Sequence, residues 1–200
     1  MTSIITGDII NSRRADHTDW MPTLKSVLDQ YGKEPEAWEI YRGDSFQLEA
    51  PPEEALKIVI HLKASIRQFK GLDVRMAIGI GKKDYSMMKI TESNGEAFVN
   101  SGHAFNKLNK KKTLSLRSPW PEIDEQLNLS IDLALLTMNG WQTNAAHYIK
   151  TVIEHPNWTQ VQLAKNLNKS QSTVSESLNR AGFEDIMRLE KKYRKLVTNQ

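Results

Sequence analysis

Two aspartates carry the most obvious chemical potential in the first half of this 200-residue sequence. Asp8 interrupts the β-branched apolar run 3–10, where an unpaired charge is costly. Asp44 follows Gly43 between the strand-like pieces 39–42 and 45–49, and a Gly-Asp pair in that position predicts a hairpin turn. If both strands lie centrally in one sheet, the two acids converge over its face and can hold a divalent cation. The loop after Asp8, through Ile9, Asn11, Ser12, Arg13 and Arg14, offers backbone amides, a hydroxyl and two guanidiniums to phosphate oxygens. The plain alternative is that both aspartates are turn and cap residues.

The second constellation lies near the other end. Leu163, Ala164 and Leu167 give an apolar face to a helix expected over 159–167, with small Ala164 where another helix must approach closely. Asn168-Lys169 stands where a tight turn needs the left-handed conformation, which Asn tolerates next best after Gly. Ser170 caps a second helix expected over 170–181, and Val174 and Leu178 return it to the core. Ser170, Gln171, Ser172, Thr173, Ser175, Asn179 and Arg180 then form a polar set of the kind that reads base edges of double-stranded DNA in the major groove. Glu176 on the same helix opposes phosphate. Lys165 and Lys169 can reach the backbone, as can Lys191, Lys192, Arg194 and Lys195, unless that late cluster is simply a solvated helix end.

The elements that must position these groups change character along the chain. Up to about residue 118, strand and helix signals alternate: strands 3–10, 39–42, 45–49, 73–80 and 113–117, with helices over 17–31, 53–69 and 95–108. Beyond Ser118-Pro-Trp-Pro121 the pattern is helical throughout, over 121–138, 142–154, 159–167, 170–181 and 183–197. His61 is expected on a surface or edge, and Trp120, Trp141 and Trp158 in the helical core and domain junction. The five histidines form no metal-ligand pair, no Gly-x-Ser-x-Gly elbow is present, and Gly79-Ile-Gly81 lacks the third glycine of a dinucleotide loop.

Composition narrows the field further. Hydrophobic residues at 39 % and charged residues at 26 % describe a globular chain, and the absence of cysteine removes disulfides, zinc ribbons, iron–sulfur clusters and thiol nucleophiles together. No apolar run approaches a membrane span, and no secretory signal is readable, so a cytoplasmic protein without a membrane partner is expected. The net charge of +3 is unevenly spread. Residues 155–200 hold eight basic and four acidic side chains, whereas residues 121–154 hold one lysine against five acids.

These motifs resemble known ones. Ile5-Thr-Gly-Asp8-Ile-Ile is similar to the first strand of class III nucleotide cyclases, and Tyr41-Arg-Gly-Asp44-Ser-Phe46 to their hairpin. Segments 74–81 and 95–105 resemble the strand and helix that follow, and 159–178 resembles the helix-turn-helix of bacterial regulators. The combination is most similar to the SatD family, over nearly the whole chain. The resemblance implies an α+β protein: a ferredoxin-like, class III nucleotide-cyclase-like domain over 1–118, then an all-helical domain over 119–200 with a helix-turn-helix at about 159–181. It further implies that Asp8 and Asp44 hold Mg²⁺ or Mn²⁺ with the Ile9 carbonyl, that Ile9, Asn11, Ser12 and Arg13 contact a nucleotide, and that the chain is a homodimer. One departure weighs against purine cyclase turnover: Val99-Asn100 is followed by Ala104 where active cyclases place a transition-state arginine. The expected function is therefore a DNA-binding regulator whose first domain binds a metal–nucleotide ligand or dimerises. The alternatives are a nucleotidyl cyclase or related phosphoryl-transfer enzyme, and an interaction module with neither activity.

Overall fold

A computed structural model describes residues 1–200. The alternation of apolar residues in the first half gives five strands: β1 (Thr2–Ile10), β2 (Trp38–Tyr41), β3 (Ser45–Ala50), β4 (Asp73–Gly81) and β5 (Leu114–Arg117). They form one mixed sheet in the order β2-β3-β1-β4-β5, antiparallel except for the parallel pair β4–β5. Eight helices accompany it: α1 (His17–Leu28), α2 (Ala55–Arg67), α3 (Glu96–Phe105), α4 (Pro121–Met138), α5 (Thr143–Glu154), α6 (Gln160–Asn166), α7 (Gln171–Arg180) and α8 (Phe183–Thr198). The protein is thus a mixed α+β structure, and no helix is long and apolar enough to cross a membrane.

The period of two along β1 divides its side chains between two layers. Ile5 and Ile9 join the main core with residues of α1 and α2. Ile4 packs on Ile90 and Ala97, and the Thr6 and Ser101 hydroxyls share a hydrogen bond, so α3 covers the opposite face. Gly79 lets α3 sit that close, because a Cβ there would lie 2.1 Å from the Ser101 amide nitrogen and 2.2 Å from the Ala97 carbonyl. In the β2–β3 turn the left-handed residues are Arg42 (φ 56°) and Gly43 (φ 87°), so Asp44 itself needs no positive φ.

The change of pattern at residue 118 does not divide the packing. One cluster of 38 buried residues runs from Ile5 through Leu127, Trp141 and Ile149 to Val197. Helix α2 explains how. It lies against the sheet on one side and α5 and α8 on the other, and every residue from Ala55 to Ile66 except Lys57 is buried. His61 is therefore fully buried, contrary to the expected surface position. The position of His61 follows from a second helical layer that covers the outer side of α2, which the pattern of a single helix does not show. The Tyr31 hydroxyl lies 2.8 Å from His61 Nδ1, and Glu154 Oε1 lies 3.4 Å from Nε2.

Candidate nucleic-acid interface

Helices α6 and α7 are each started by a side-chain cap. Thr159 accepts from the Gln162 amide while the Gln162 side chain accepts from the Thr159 amide at 2.8 Å, a reciprocal capping box. Between the helices Asn168 takes φ 51°, and the Lys169 amide donates to the Ala164 carbonyl at 3.0 Å, which closes the turn. Ser170 then accepts from the Thr173 amide at 3.1 Å and starts α7. The sequence expectations for Asn168 and Ser170 describe this turn.

A small satellite core fixes the crossing of the two helices. Val174 of α7, Ala164 of α6, Leu167 of the turn and Tyr148 of α5 form it, with Leu178 packed alongside. At the far end of α7 the buried Trp141 indole donates to the Ala181 carbonyl at 2.9 Å, which anchors the helix to the start of α5. With about 100° between successive residues, the side directly opposite Val174 carries Ser172, Glu176 and Asn179, all exposed. Thr173 and Arg180 flank that side and line a 520 Å³ cleft shared with Asn144 and Tyr148. Gln171 lies nearer α6, donating to Gln160 at 3.0 Å, and Ser175 is half-buried. Of the expected DNA-contacting set, then, Asn179 and Arg180 stand free, the Ser172 and Thr173 hydroxyls share hydrogen bonds of 2.9 and 2.8 Å with the Ser170 hydroxyl in the cap, and Gln171 is engaged in a helix–helix contact. Lys165, Lys169 and Arg180 are exposed around them and form no ion pair.

The other expected site has a different character. The Ile9 amide donates to the Asp44 carbonyl at 3.0 Å, so Asp8 and Asp44 do meet at one end of the sheet. However, Asp8 lies directly across from Arg75 on β4, whose guanidinium takes both carboxylate oxygens at 2.9 and 2.5 Å. Hydrogen bonding to Asp8 pushes the Arg75 guanidinium up against the effect of partial burial, and the charges of Asp8 and Asp44 add to it. Asp44 accepts from Ser12 at 2.6 Å, and Asn11 donates to the Gly71 carbonyl at 3.0 Å. Each carboxylate thus has a side-chain partner within the fold, the Arg75 guanidinium for Asp8 and the Ser12 hydroxyl for Asp44. Arg13 is exposed without an ion-pair partner. The cross-strand partner Arg75 was missed in the sequence because its role depends on strand order.

The cyclase-like helix motif is likewise used internally. The buried Asn100 donates to the Ile80 carbonyl at 2.8 Å, and Ala104 packs on Ala77 and Leu108. Arg117 of β5 approaches His103 at 2.8 Å, a cation on this side of α3 that the linear motif does not contain. No family model, curated protein or solved structure matches this chain.

Proposed function

We propose that this chain is a DNA-binding regulatory protein in which α6, its turn and α7 form a helix-turn-helix and α7 reads the major groove. The observation that carries this reading is the arrangement of α7. A capped helix is held by a dedicated three-helix core and an indole anchor, yet its outward side is polar and exposed, and no other helix or strand packs on it. Ser172 and Asn179 can donate to and accept from base edges, and Lys165, Lys169 and Arg180 flank them for phosphate. Glu176 works against affinity, so on this reading it tunes selectivity. The arginine-paired Asp8 favours a structural role for that end of the sheet over a metal–nucleotide pocket.

Fluorescence anisotropy of the full chain with a labelled duplex tests the reading. Three phosphate contacts per protomer give a slope of log affinity against log salt of about −2.7. Arg180→Ala should flatten that slope by about one and weaken binding, while Glu176→Gln should strengthen binding. Absence of salt-dependent binding, or an affinity indifferent to both changes, would overturn the proposal.

A further inference from the structure

Helix α4 is apolar on two opposite sides. Leu127, Ile131, Leu135 and Met138 are buried in the core. Leu129, Leu133 and Leu136 point the other way and are 64 %, 60 % and 79 % exposed. Their spacing of four and three residues is that of a helix–helix seam, continued by Gln126 and Glu122 toward the N-terminus. Nothing in the protomer covers this stripe, and Leu133 with Ala134, Ile186 and Leu189 opens into a 600 Å³ groove between α4 and α8.

We propose that this stripe is the dimer interface, occupied by α4 of a second copy running antiparallel about a two-fold axis near Leu133. The charge pattern selects both the occupant and the direction. Glu125 lies eight residues before Leu133, about 12 Å along the axis at 1.5 Å per residue. On the other side, Asn139 holds the Lys111 carbonyl at 2.8 Å, which fixes the Lys110-Lys111 loop about 9 Å beyond Leu133. Glu125 and Asn139 are fourteen residues apart and share one flank of the seam. A two-fold axis across antiparallel helices brings equal flanks together, so each acidic end meets the partner's lysine loop. A parallel pair would instead set acidic end beside acidic end. Glu122, Glu125, Lys110 and Lys111 form no ion pair within the protomer, so all four are available. Asp132, near the axis, is already neutralised by Lys112 at 2.9 Å.

Sedimentation velocity of the full chain over a range of concentrations tests this without reference to DNA. The unmodified protein should be a dimer. Leu129→Ser with Leu133→Ser should give a monomer with unchanged circular dichroism, since both positions are exposed in the protomer, and a melting temperature that no longer depends on protein concentration. Two further variants read the direction. E122K/E125K and K110E/K111E should each weaken self-association about tenfold or more, and mixing them should restore a heterodimer. A monomeric unmodified protein, or a serine variant that stays dimeric, would overturn the interface. Failure of the mixture to associate would overturn the antiparallel arrangement.

Discussion

Removing the carboxylate of Asp73 should be among the most damaging single changes in this protein, and removing its lysine partner should not. Lys63 on α2 is 1 % exposed and donates to Asp73 at 2.8 Å and to Thr113 at 3.1 Å. Arg67, one turn later, donates to the other Asp73 oxygen at 2.7 Å and to the Trp141 carbonyl at 3.0 and 2.8 Å. Thr113 passes the network to Asn139 at 3.0 Å, so it joins α2, the sheet and the segment that leads into α5. Asp73→Ala leaves a buried ammonium and a half-buried guanidinium without a counter-charge, which costs about 3–5 kcal/mol. In a chain of this size that corresponds to a fall in melting temperature of about 10 °C. Lys63→Met places an apolar side chain of similar length in that buried position. Asp73 keeps Arg67 and the Val74 amide at 2.8 Å, and Thr113 keeps Asn139. The expected cost is about 1 kcal/mol or less, in line with replacing a buried ion by a hydrophobe. Thermal melts and urea titrations of the two variants at neutral pH decide the matter. A larger loss for Lys63→Met than for Asp73→Ala would refute the argument that the unpaired charge, not the contact itself, sets the cost.

Other expectations follow from the same geometry. Gly79→Ala forces a Cβ into the backbone of α3 and should cost about 3 kcal/mol, read as a lowered melting temperature. Glu154 is subject to a burial effect that raises its carboxyl, but donors from His61, Lys150 and Gln30 outweigh it and hold it at about 2. Because that value lies below the unfolded one of 4.5, the stabilisation is complete above about pH 4.5 and is lost as pH falls toward 2. Acid titration of Glu154→Gln should therefore show a shallower loss of stability in that window than the unmodified protein; an identical curve would remove the role. At Asn168, with φ 51°, glycine should be near neutral and valine should destabilise the α6–α7 unit by about 1–2 kcal/mol, measured by amide exchange in α6 and α7.

Local chemistry made most of the elements legible: the cap at Ser170, the left-handed Asn168, the helices α1 and α2 and the strand β1 all stand close to their expected places. What the sequence hid depends on what lies next to what. His61 and Lys63 read as ordinary helix residues until α5 is seen to cover the outer side of α2. Asp8 reads as an unpaired acid in an apolar run until the strand order sets Arg75 directly opposite it. Residue 118 reads as a domain boundary because the hydrophobic period changes there, but periodicity reports only the class of each element, and the core continues across it. The recognition-helix candidates were narrowed for the same reason, since the Gln171–Gln160 contact exists only once α6 and α7 cross.

The outward side of α7 is the centre of this account, and selection of duplexes from a random-sequence library tests it most directly. The 200-residue chain should enrich a defined sequence, and a Ser172→Ala, Asn179→Ala, Arg180→Ala variant with unchanged melting temperature should lose that preference while keeping residual salt-dependent binding through Lys165 and Lys169. Enrichment of the same sequence by the triple variant would contradict the assignment of α7 as the reading element.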